Sequence, residues 1–242
     1  MQIQVTTTPD ELAILAADRI EELVRTKPDC VLGFATGSTP LSTYQELIHR
    51  YQEGRIDFSK VRTFNLDEYW GLPPTHPQSY HSFMQEHVFQ HLNIPADQIH
   101  LPQGHGIDEE TACRDYEREI RRAGGIDLQV LGIGTNGHIG FNEPAKELRL
   151  DTHLVTLTQA TVLANSRFFS SPSEVPRRAI TMGVRTILSS RRLLLLATGP
   201  QKAAILQQLF QRGISTELPA SLLHLHPDAT ILADQDAAAL LA

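Results

Sequence analysis

The sequence predicts an α/β fold with an open, mostly parallel sheet that is doubly wound, with helices on both faces in a Rossmann-like arrangement. Short apolar runs alternate with amphipathic helical patterns along the whole chain, which is typical of a parallel sheet covered by helices. The 242 residues, 41% hydrophobic and 20% charged, have an ordinary globular composition. We therefore predict a single domain over residues 1–242, with a mobile lid around residues 150–180.

Each element follows from a local pattern. Thr8 to Glu11 form a capping box with Pro9 in the first helical position, so a helix begins there. Buried strands are predicted at 30–35, 61–66, 127–133, 153–157, 179–182, 193–197 and 230–233. Further helices are predicted at 40–54, 78–92, 109–123 and 200–210, and a loop or mobile segment at 165–178.

Charge and composition exclude several classes of function. The chain carries 21 basic and 28 acidic residues, a net charge of −7, whereas a general nucleic-acid coat needs a basic surface. No apolar run is long enough to cross a bilayer, and no secretory signal is visible. Cys30 and Cys113 form no CxxC pair, as expected of thiols in a reducing compartment. We expect a cytoplasmic protein with no nucleic-acid or membrane partner.

Ligands bind beyond the carboxyl ends of the strands in open parallel sheets, and the first polar strand end is Thr36-Gly37-Ser38-Thr39. Glycine lets backbone approach a ligand, the hydroxyls can donate, and a following helix N-terminus favours an anion. The alternative is an ordinary turn in which Thr39 caps the helix and Pro40 begins it.

The second strand end carries two adjacent carboxylates, Asp67 and Glu68. Both cannot cap the next predicted helix, which begins about ten residues later. Paired acids at a strand end can transfer protons. A solvated acidic loop is the alternative.

The third strand end is the glycine-rich segment 132–144, which contains His138 and Glu143. Glu143 could orient the imidazole or accept a proton. The segment partly matches a dinucleotide-binding loop, but Pro144 interrupts any following helix and no ribose-binding acid follows. H-E-x-x-H and G-x-S-x-G are both absent, so we predict neither a metal nor a serine nucleophile.

Five segments together resemble the glucosamine-6-phosphate deaminase family: 35–40, 65–69, 76–80, 134–144 and 164–169. Asn-Leu-Asp-Glu-Tyr at 65–69 and Phe-Asn-Glu-Pro at 141–144 are the most specific. The resemblance implies conversion of glucosamine 6-phosphate and water into fructose 6-phosphate and ammonia, in amino-sugar catabolism. A carboxylate base suffices for that reaction, so no organic cofactor is expected.

The resemblance also implies catalytic roles. Asp67 would move a proton from C2 to C1 of the open sugar, and His138 would assist ring opening with the support of Glu143. Asn136 would orient the imidazole without adding charge, whereas allosteric members of the family have an aspartate there. Glu68 would position Asp67 or contact the substrate.

The substrate phosphate needs positive charge, and Arg167 and Lys202 match the family's phosphate ligands. Without the resemblance, Lys202 would be a first-turn helix residue and Arg167 a loop cation. The predicted substrate-binding set is Thr36, Gly37, Ser38, Thr39, Glu68, Gly137, Arg167 and Lys202.

Two departures from the allosteric members concern regulation. Those members carry basic residues for an effector phosphate where this chain has His153 and Val155, and longer members continue past the point where this chain stops. We therefore expect no allosteric activation and favour a monomer, with a small homo-oligomer as the second choice. His49, Arg149 or Lys146 could supply a replacement effector site.

Two other functions remain open at this point. A 6-phosphogluconolactonase would share the fold, the histidine loop and a sugar-phosphate substrate, but it does not need the Asn-Leu-Asp-Glu-Tyr segment. A sugar-phosphate sensor in a transcription regulator would need a DNA-binding segment, and no helix-turn-helix has room before the first predicted strand.

Overall fold

The computed structural model describes residues 1–166, 169, 171 and 174–241. Ten strands are described: β1 (Gln2–Thr6), β2 (Val31–Phe34), β3 (Arg62–Asn65), β4 (Asp67–Tyr69), β5 (Ile99–His100), β6 (Leu128–Gly132), β7 (His153–Thr156), β8 (Arg178–Thr181), β9 (Leu193–Ala197) and β10 (Ala229–Asp234). Seven α-helices are described: α1 (Pro9–Thr26), α2 (Ser38–Gln52), α3 (Tyr80–His87), α4 (Glu109–Arg122), α5 (Gln159–Asn165), α6 (Val184–Leu188) and α7 (Ala203–Gln211).

The main sheet has seven strands in the order β1-β10-β9-β6-β2-β3-β5, and every neighbouring pair is parallel. Its central strands are apolar and buried; β9, for example, is buried at all five residues. One face packs against α1, α2 and α3, and the other against α4, α6 and α7. The predicted doubly wound α/β fold is confirmed.

A second, smaller sheet departs from the prediction. Three strands form it in the order β4-β8-β7, and both pairs are antiparallel. The segments of β7 and β8 are strands, as predicted, but they lie outside the parallel sheet. After β3 the chain continues almost directly into β4, where Asp67 pairs with Thr181 of β8. The small sheet therefore carries Asp67 at the edge of the main one.

Several local predictions are confirmed and others corrected. Thr8 Oγ1 accepts from the Glu11 amide at 3.2 Å, but the Glu11 carboxylate receives the Thr7 amide instead of that of Thr8. The predicted helix at 78–92 is α3 followed by a 3₁₀ turn at Phe89–His91, and that at 200–210 is a 3₁₀ turn at Pro200–Lys202 followed by α7. Strands β1, β4 and β5 and helices α5 and α6 were not predicted, since each is short or lacks a clear apolar period.

Strand β7 and helix α5 lie within the range 150–180, and β8 begins inside it. The mobility of this range stays a prediction. Within the described part of the chain, no helix is both long enough and apolar enough to span a membrane.

Candidate active site

The candidate site lies where the carboxyl ends of β9, β6 and β2 meet, because these parallel strands are neighbours in the sheet. The chain runs outward from β2 through β3 to β5, and then returns to place β6 on the other side of β2. Such a reversal of strand order opens a crevice in which α/β proteins bind ligands. All three predicted strand ends border this region or its neighbour β3.

The turn after β2 leaves the N-terminus of α2 open. The helix begins at Ser38, with Gly37 as its N-cap residue at φ 121°, and no side chain in the described part of the chain caps it. Thr39 is therefore not the cap; its hydroxyl lies 2.9 Å from that of Thr198, which follows β9. Gly37 and Ser38 are exposed. An exposed, uncapped N-terminus of a 15-residue helix can receive an anion.

Two of the glycines after β6 lie so close to other side chains that no larger residue would fit there. A Cβ on Gly134 would lie 2.2 Å from the ring of His138, so only glycine lets the imidazole fold over that turn. Gly137 has φ 87°, and a Cβ there would meet Leu218 at 2.2 Å. Its amide donates to Gly134 O and its carbonyl accepts from Ala220. The predicted contact of Gly137 with substrate stays a prediction.

His138, Asn136 and Glu143 form one hydrogen-bonded set. Asn136 Oδ1 lies 2.7 Å from His138 Nδ1, and Asn136 Nδ2 donates to Glu143 Oε2 at 2.6 Å. His138 Nδ1 is also 3.5 Å from Glu143 Oε2. Since the amide Nδ2 is committed to a carboxylate, Oδ1 faces the ring, and Nδ1 must carry the proton. In the neutral ring, Nε2 is then left as a proton acceptor.

Glu143 stays ionised. Burial tends to raise its pKa, but hydrogen bonds from His138, Thr161 and Asn136, together with the charge of His138, lower it to about 2. Its side chain is only 9% exposed, so these donors replace the water it lacks. Glu143 can orient the histidine side chain and stabilise it if it becomes positively charged.

Asp67 has the opposite environment. It is buried on β4, and burial, with the nearby Glu68 carboxylate, raises its pKa to about 8. Among the described residues, no side chain or amide donates a hydrogen bond to its carboxylate. A Cβ on Gly140 would lie 3.6 Å from Asp67 Oδ2 and 2.9 Å from Thr181 Oγ1. The lack of a side chain at Gly140 therefore lets Thr181 of the small sheet lie against the histidine loop, and Asp67, its partner on β4, lies at contact distance from the same glycine.

The Glu68 side chain is bound by backbone amides. Its carboxylate accepts the amides of Tyr69, Tyr80 and His81 at 2.7 to 2.8 Å, and the last two open α3. Burial raises its pKa to about 7, against the effect of these three donors. Glu68 thus stabilises the start of α3 and fixes β4 to it. Its positioning of Asp67 and its contact with substrate both stay predictions.

Of the two predicted phosphate cations, Lys202 lies at the site. Its Nζ donates to Ile133 O at the end of β6, at 2.6 Å, and burial lowers its pKa. The carboxylate of Asp234, at the end of β10, accepts the Gly199 amide and so fixes the turn that presents Lys202. Arg167 lies outside the described residues.

Sequence reasoning missed Thr161 and Asn142. Thr161, on α5, donates to Glu143 Oε1 at 2.5 Å, and Asn142 ties the histidine loop to the end of β8 through Met182 O. Both contacts join residues distant in the chain, and the only local signal is that Thr158 and Thr161 form an N-capping pair. Over the residues described, no group of three or more His, Cys, Asp or Glu side chains could hold a metal ion.

Comparison with known proteins adds to this geometry. Residues 6–232 match the sequence profile of the glucosamine-6-phosphate isomerases/6-phosphogluconolactonase family. The chain belongs to this family. The resemblance carried by the sequence motifs is thereby confirmed.

Within the family, a glucosamine-6-phosphate deaminase of Halothermothrix orenii is 54% identical over 241 residues, which are 100% of each chain. Glucosamine-6-phosphate deaminase 2 of Bacillus subtilis is 52% identical, over 98% of this chain and 96% of that one. A solved structure described as a monomeric glucosamine-6-phosphate deaminase is 45% identical with a TM-score of 0.96, covering 99% of this chain and 100% of the other.

Proposed function

We propose that this chain is a glucosamine-6-phosphate deaminase, which converts glucosamine 6-phosphate and water into fructose 6-phosphate and ammonia. The family profile covers two activities, but relatives identical at more than half of the positions over the full length are named deaminases. The observation that carries the proposal is Asp67, a buried carboxylate with a raised pKa held against the histidine loop. A carboxylate base beside the histidine loop can move a proton between two carbons of the sugar, which is what an isomerisation requires.

The first step is ring opening. His138, with its proton on Nδ1, can take the C1 hydroxyl proton on Nε2 and return a proton to the ring oxygen. Glu143 and Asn136 hold the imidazole in that orientation, and the ionised Glu143 stabilises the imidazolium while it exists. The product is the open-chain aldehyde with its amine at C2.

The second step moves a proton. Ionised Asp67 accepts the C2 proton, which is acidic beside the aldehyde, and the resulting enolamine is protonated at C1 by the same carboxyl group. A pKa of about 8 makes Asp67 a strong base for a carboxylate, and a positively charged amine on the substrate favours its ionised form. Water then adds to the imine carbon at C2, and ammonia leaves to give fructose 6-phosphate.

The phosphate completes the substrate. Lys202 and the open N-terminus of α2 lie at neighbouring strand ends, where Thr36 to Thr39 can add hydroxyl and amide donors. A bound dianion would draw Lys202 away from Ile133 O and restore its pKa. Arg167 is proposed as a second cation on the family resemblance alone.

The chain is proposed to act as a single domain and a monomer, as the solved neighbour is described. Its two cysteines, Cys30 and Cys113, are free thiols, which fits a reducing cytoplasmic location.

One assay tests the activity. Purified protein is mixed with glucosamine 6-phosphate, and ammonia and fructose 6-phosphate are measured in separate coupled reactions; equal amounts of both are expected. Hydrolysis of 6-phosphogluconolactone is measured beside it as the competing family activity. Lactone hydrolysis without ammonia release would overturn the proposal.

A further inference from the structure

Helix α5 touches the histidine loop through a hydroxyl. Thr161 Oγ1 lies 2.5 Å from Glu143 Oε1, a contact between residues 18 apart in the chain. Thr161 is half-buried in the first turn of α5, whose N-cap is Thr158. This bond links the helix to the residues assigned to ring opening.

The ionised state of Glu143 sets the direction of every bond around it. A carboxylate only accepts, so Thr161 donates its hydroxyl proton to Oε1 while Asn136 donates to Oε2. Thr158 Oγ1 lies 2.9 Å from Thr161 Oγ1. Because the Thr161 proton is already used, the Thr158 hydroxyl donates in that contact. A continuous chain of hydrogen bonds therefore runs from the cap of α5 through Glu143 and Asn136 to the imidazole of His138.

Each oxygen of Glu143 depends on its own donor. Oε1 has Thr161 as its hydrogen-bond donor in the described part of the chain, whereas Oε2 has Asn136 and also faces His138 Nδ1 at 3.5 Å. Without the Thr161 hydroxyl, Oε1 would be buried with no donor, and the carboxylate would rotate or take up a proton. Either change disturbs the Asn136 amide, and with it the acceptor that keeps the His138 proton on Nδ1.

We propose that Thr161 is a positioning residue for ring opening: its hydroxyl holds Glu143, and through Glu143 and Asn136 it holds His138 in the tautomer that leaves Nε2 free to accept a proton. This rests on the proposed function, because ring opening is the step assigned to His138. Thr161 acts through Glu143 on the imidazole and does not itself exchange a proton with substrate.

Few charged groups surround Glu143, so the Thr161 hydroxyl can have a clear effect on the pKa of its carboxylate. The titratable group that faces it is His138, at 3.5 Å. On the α5 side, residues 159–163 carry no charge. On the neighbouring elements, Asp67 lies beyond Gly140 on β4, and Lys202 is bonded to Ile133 O. Removing the Thr161 hydroxyl should therefore raise the pKa of Glu143 without another group taking its place.

Two variants separate the hydroxyl from the shape of the side chain. Thr161→Val keeps the volume and removes the donor, whereas Thr161→Ser keeps the donor. We expect Thr161→Val to lower kcat about ten-fold, the size of one charge-assisted hydrogen bond, with KM changed less than about two-fold. Its acidic limb in the pH profile of kcat should move to higher pH. Thr161→Ser should recover most of the activity.

Thr158→Ala is the matched control. It removes the cap of the same helix but leaves the Thr161–Glu143 bond, so its kcat should fall less than that of Thr161→Val even if both lower Tm equally. The inference fails if Thr161→Val keeps the wild-type kcat and pH profile, if Thr161→Ser does not recover activity, or if Thr158→Ala is equally impaired.

A measurement without turnover separates this inference from the proposed function. Nitrogen-15 NMR of the labelled histidines, with His138→Gln to assign its signals, reports which ring nitrogen carries the proton. The wild type should show the Nδ1–H tautomer at His138 and Thr161→Val a mixture. If the protein released no ammonia, the proposed function would fall while this spectrum still tested the link; an unchanged tautomer in Thr161→Val would overturn the link alone.

Discussion

Two regions of the site shift the pKa of a carboxylate in opposite directions. In the small antiparallel sheet, Asp67 is buried beside Glu68, and burial raises its pKa to about 8. In the glycine-rich loop, Glu143 is also largely buried, yet hydrogen bonds from His138, Thr161 and Asn136 lower its pKa to about 2. Asp67 is the more deeply buried of the two and has no described donor, whereas Glu143 has side-chain donors that outweigh its burial. Glu68, which accepts three amides and still has a pKa of about 7, shows that donors offset burial only in part.

The difference matches two chemical tasks. A group that carries a substrate proton must gain and lose it near the working pH, which suits Asp67. A group that orients an imidazole must keep its charge throughout, which suits Glu143. The two regions meet at Gly140, where a Cβ would crowd Thr181 Oγ1 at 2.9 Å and would lie 3.6 Å from Asp67 Oδ2.

The largest effect is expected at Asp67. Asp67→Asn keeps the shape and removes the proton acceptor, so turnover of glucosamine 6-phosphate should fall roughly 10²-fold or more. Binding of fructose 6-phosphate, measured by calorimetry, should change little and serves as the control for folding. Turnover close to the wild-type value would exclude Asp67 as the proton carrier.

A smaller effect is expected at the phosphate site. Lys202→Ala removes a charge-assisted contact and should weaken substrate binding by about 1.5–3 kcal/mol. The loss should appear mainly in KM, because the phosphate is held equally in the ground and transition states. The same result is expected of Arg167→Ala, on the family resemblance.

Unphosphorylated glucosamine provides the control for that experiment. It cannot use either cation, so the wild type and Lys202→Ala should process it equally poorly. If glucosamine were as good a substrate as its phosphate ester, the assignment of the phosphate site would be wrong.

The fold was largely predictable because its signals are local. Continuous apolar runs such as β9 and the Thr8 N-cap of α1 depend on neighbouring residues in the chain, and both are where the sequence predicts them. The small sheet was not predictable in the same way. Strand β4 has three residues and pairs with β8, where Thr181 lies opposite Asp67. Because Thr181 is far from Asp67 in the sequence, no residue near Asp67 indicates which strand it pairs with.

The site shows the same division. Residue types at strand ends pointed to Asp67, His138 and Glu143, since chemistry in this fold class concentrates there. Their roles depend on partners that are distant in sequence. Glu68 proves to stabilise the start of α3 through two backbone amides, and Thr161 reaches Glu143 from a helix that the sequence did not predict.

Stability should separate the two carboxylates by the sign of their pH dependence. Asp67 has a folded pKa above its unfolded value of about 3.9, so its burial costs stability increasingly as pH rises towards about 8. Asp67→Asn should therefore raise Tm by several degrees at pH 8 and by less at pH 5. Relief of repulsion with Glu68 acts in the same direction.

Glu143 should behave in the reverse manner. Its folded pKa of about 2 lies below the unfolded value, so it stabilises the fold above the unfolded pKa and loses that effect as pH falls towards 2. Glu143→Gln should lower Tm at pH 7 and lower it less at pH 3. Thermal melts of both variants across pH test the comparison, and equal shifts of one sign would contradict it.

The smallest expected effect is none at all: N-acetylglucosamine 6-phosphate should not activate this enzyme. An effector phosphate needs fixed cations, and Val155 on β7 offers none. Burial lowers the pKa of His153, with Arg149 acting in the same direction against the bond to the Asp151 carbonyl, so His153 is neutral at pH 7. A ligand shifts a conformational equilibrium only by its differential affinity for the two states. Since positions 153 and 155 offer an effector phosphate no fixed cation, we expect no such difference to arise from them.

Substrate saturation curves with and without the effector measure this, beside light scattering for the molecular mass. Hyperbolic curves that coincide and the mass of a monomer are expected. His49 on α2 is paired with Glu53, the C-cap residue of that helix. Arg149 and Lys146 are exposed, and they are the cations to replace by alanine if activation is seen. A sigmoidal curve that becomes hyperbolic with the effector, in a hexamer, would show that the fold carries an effector site made from other residues than those at 153 and 155.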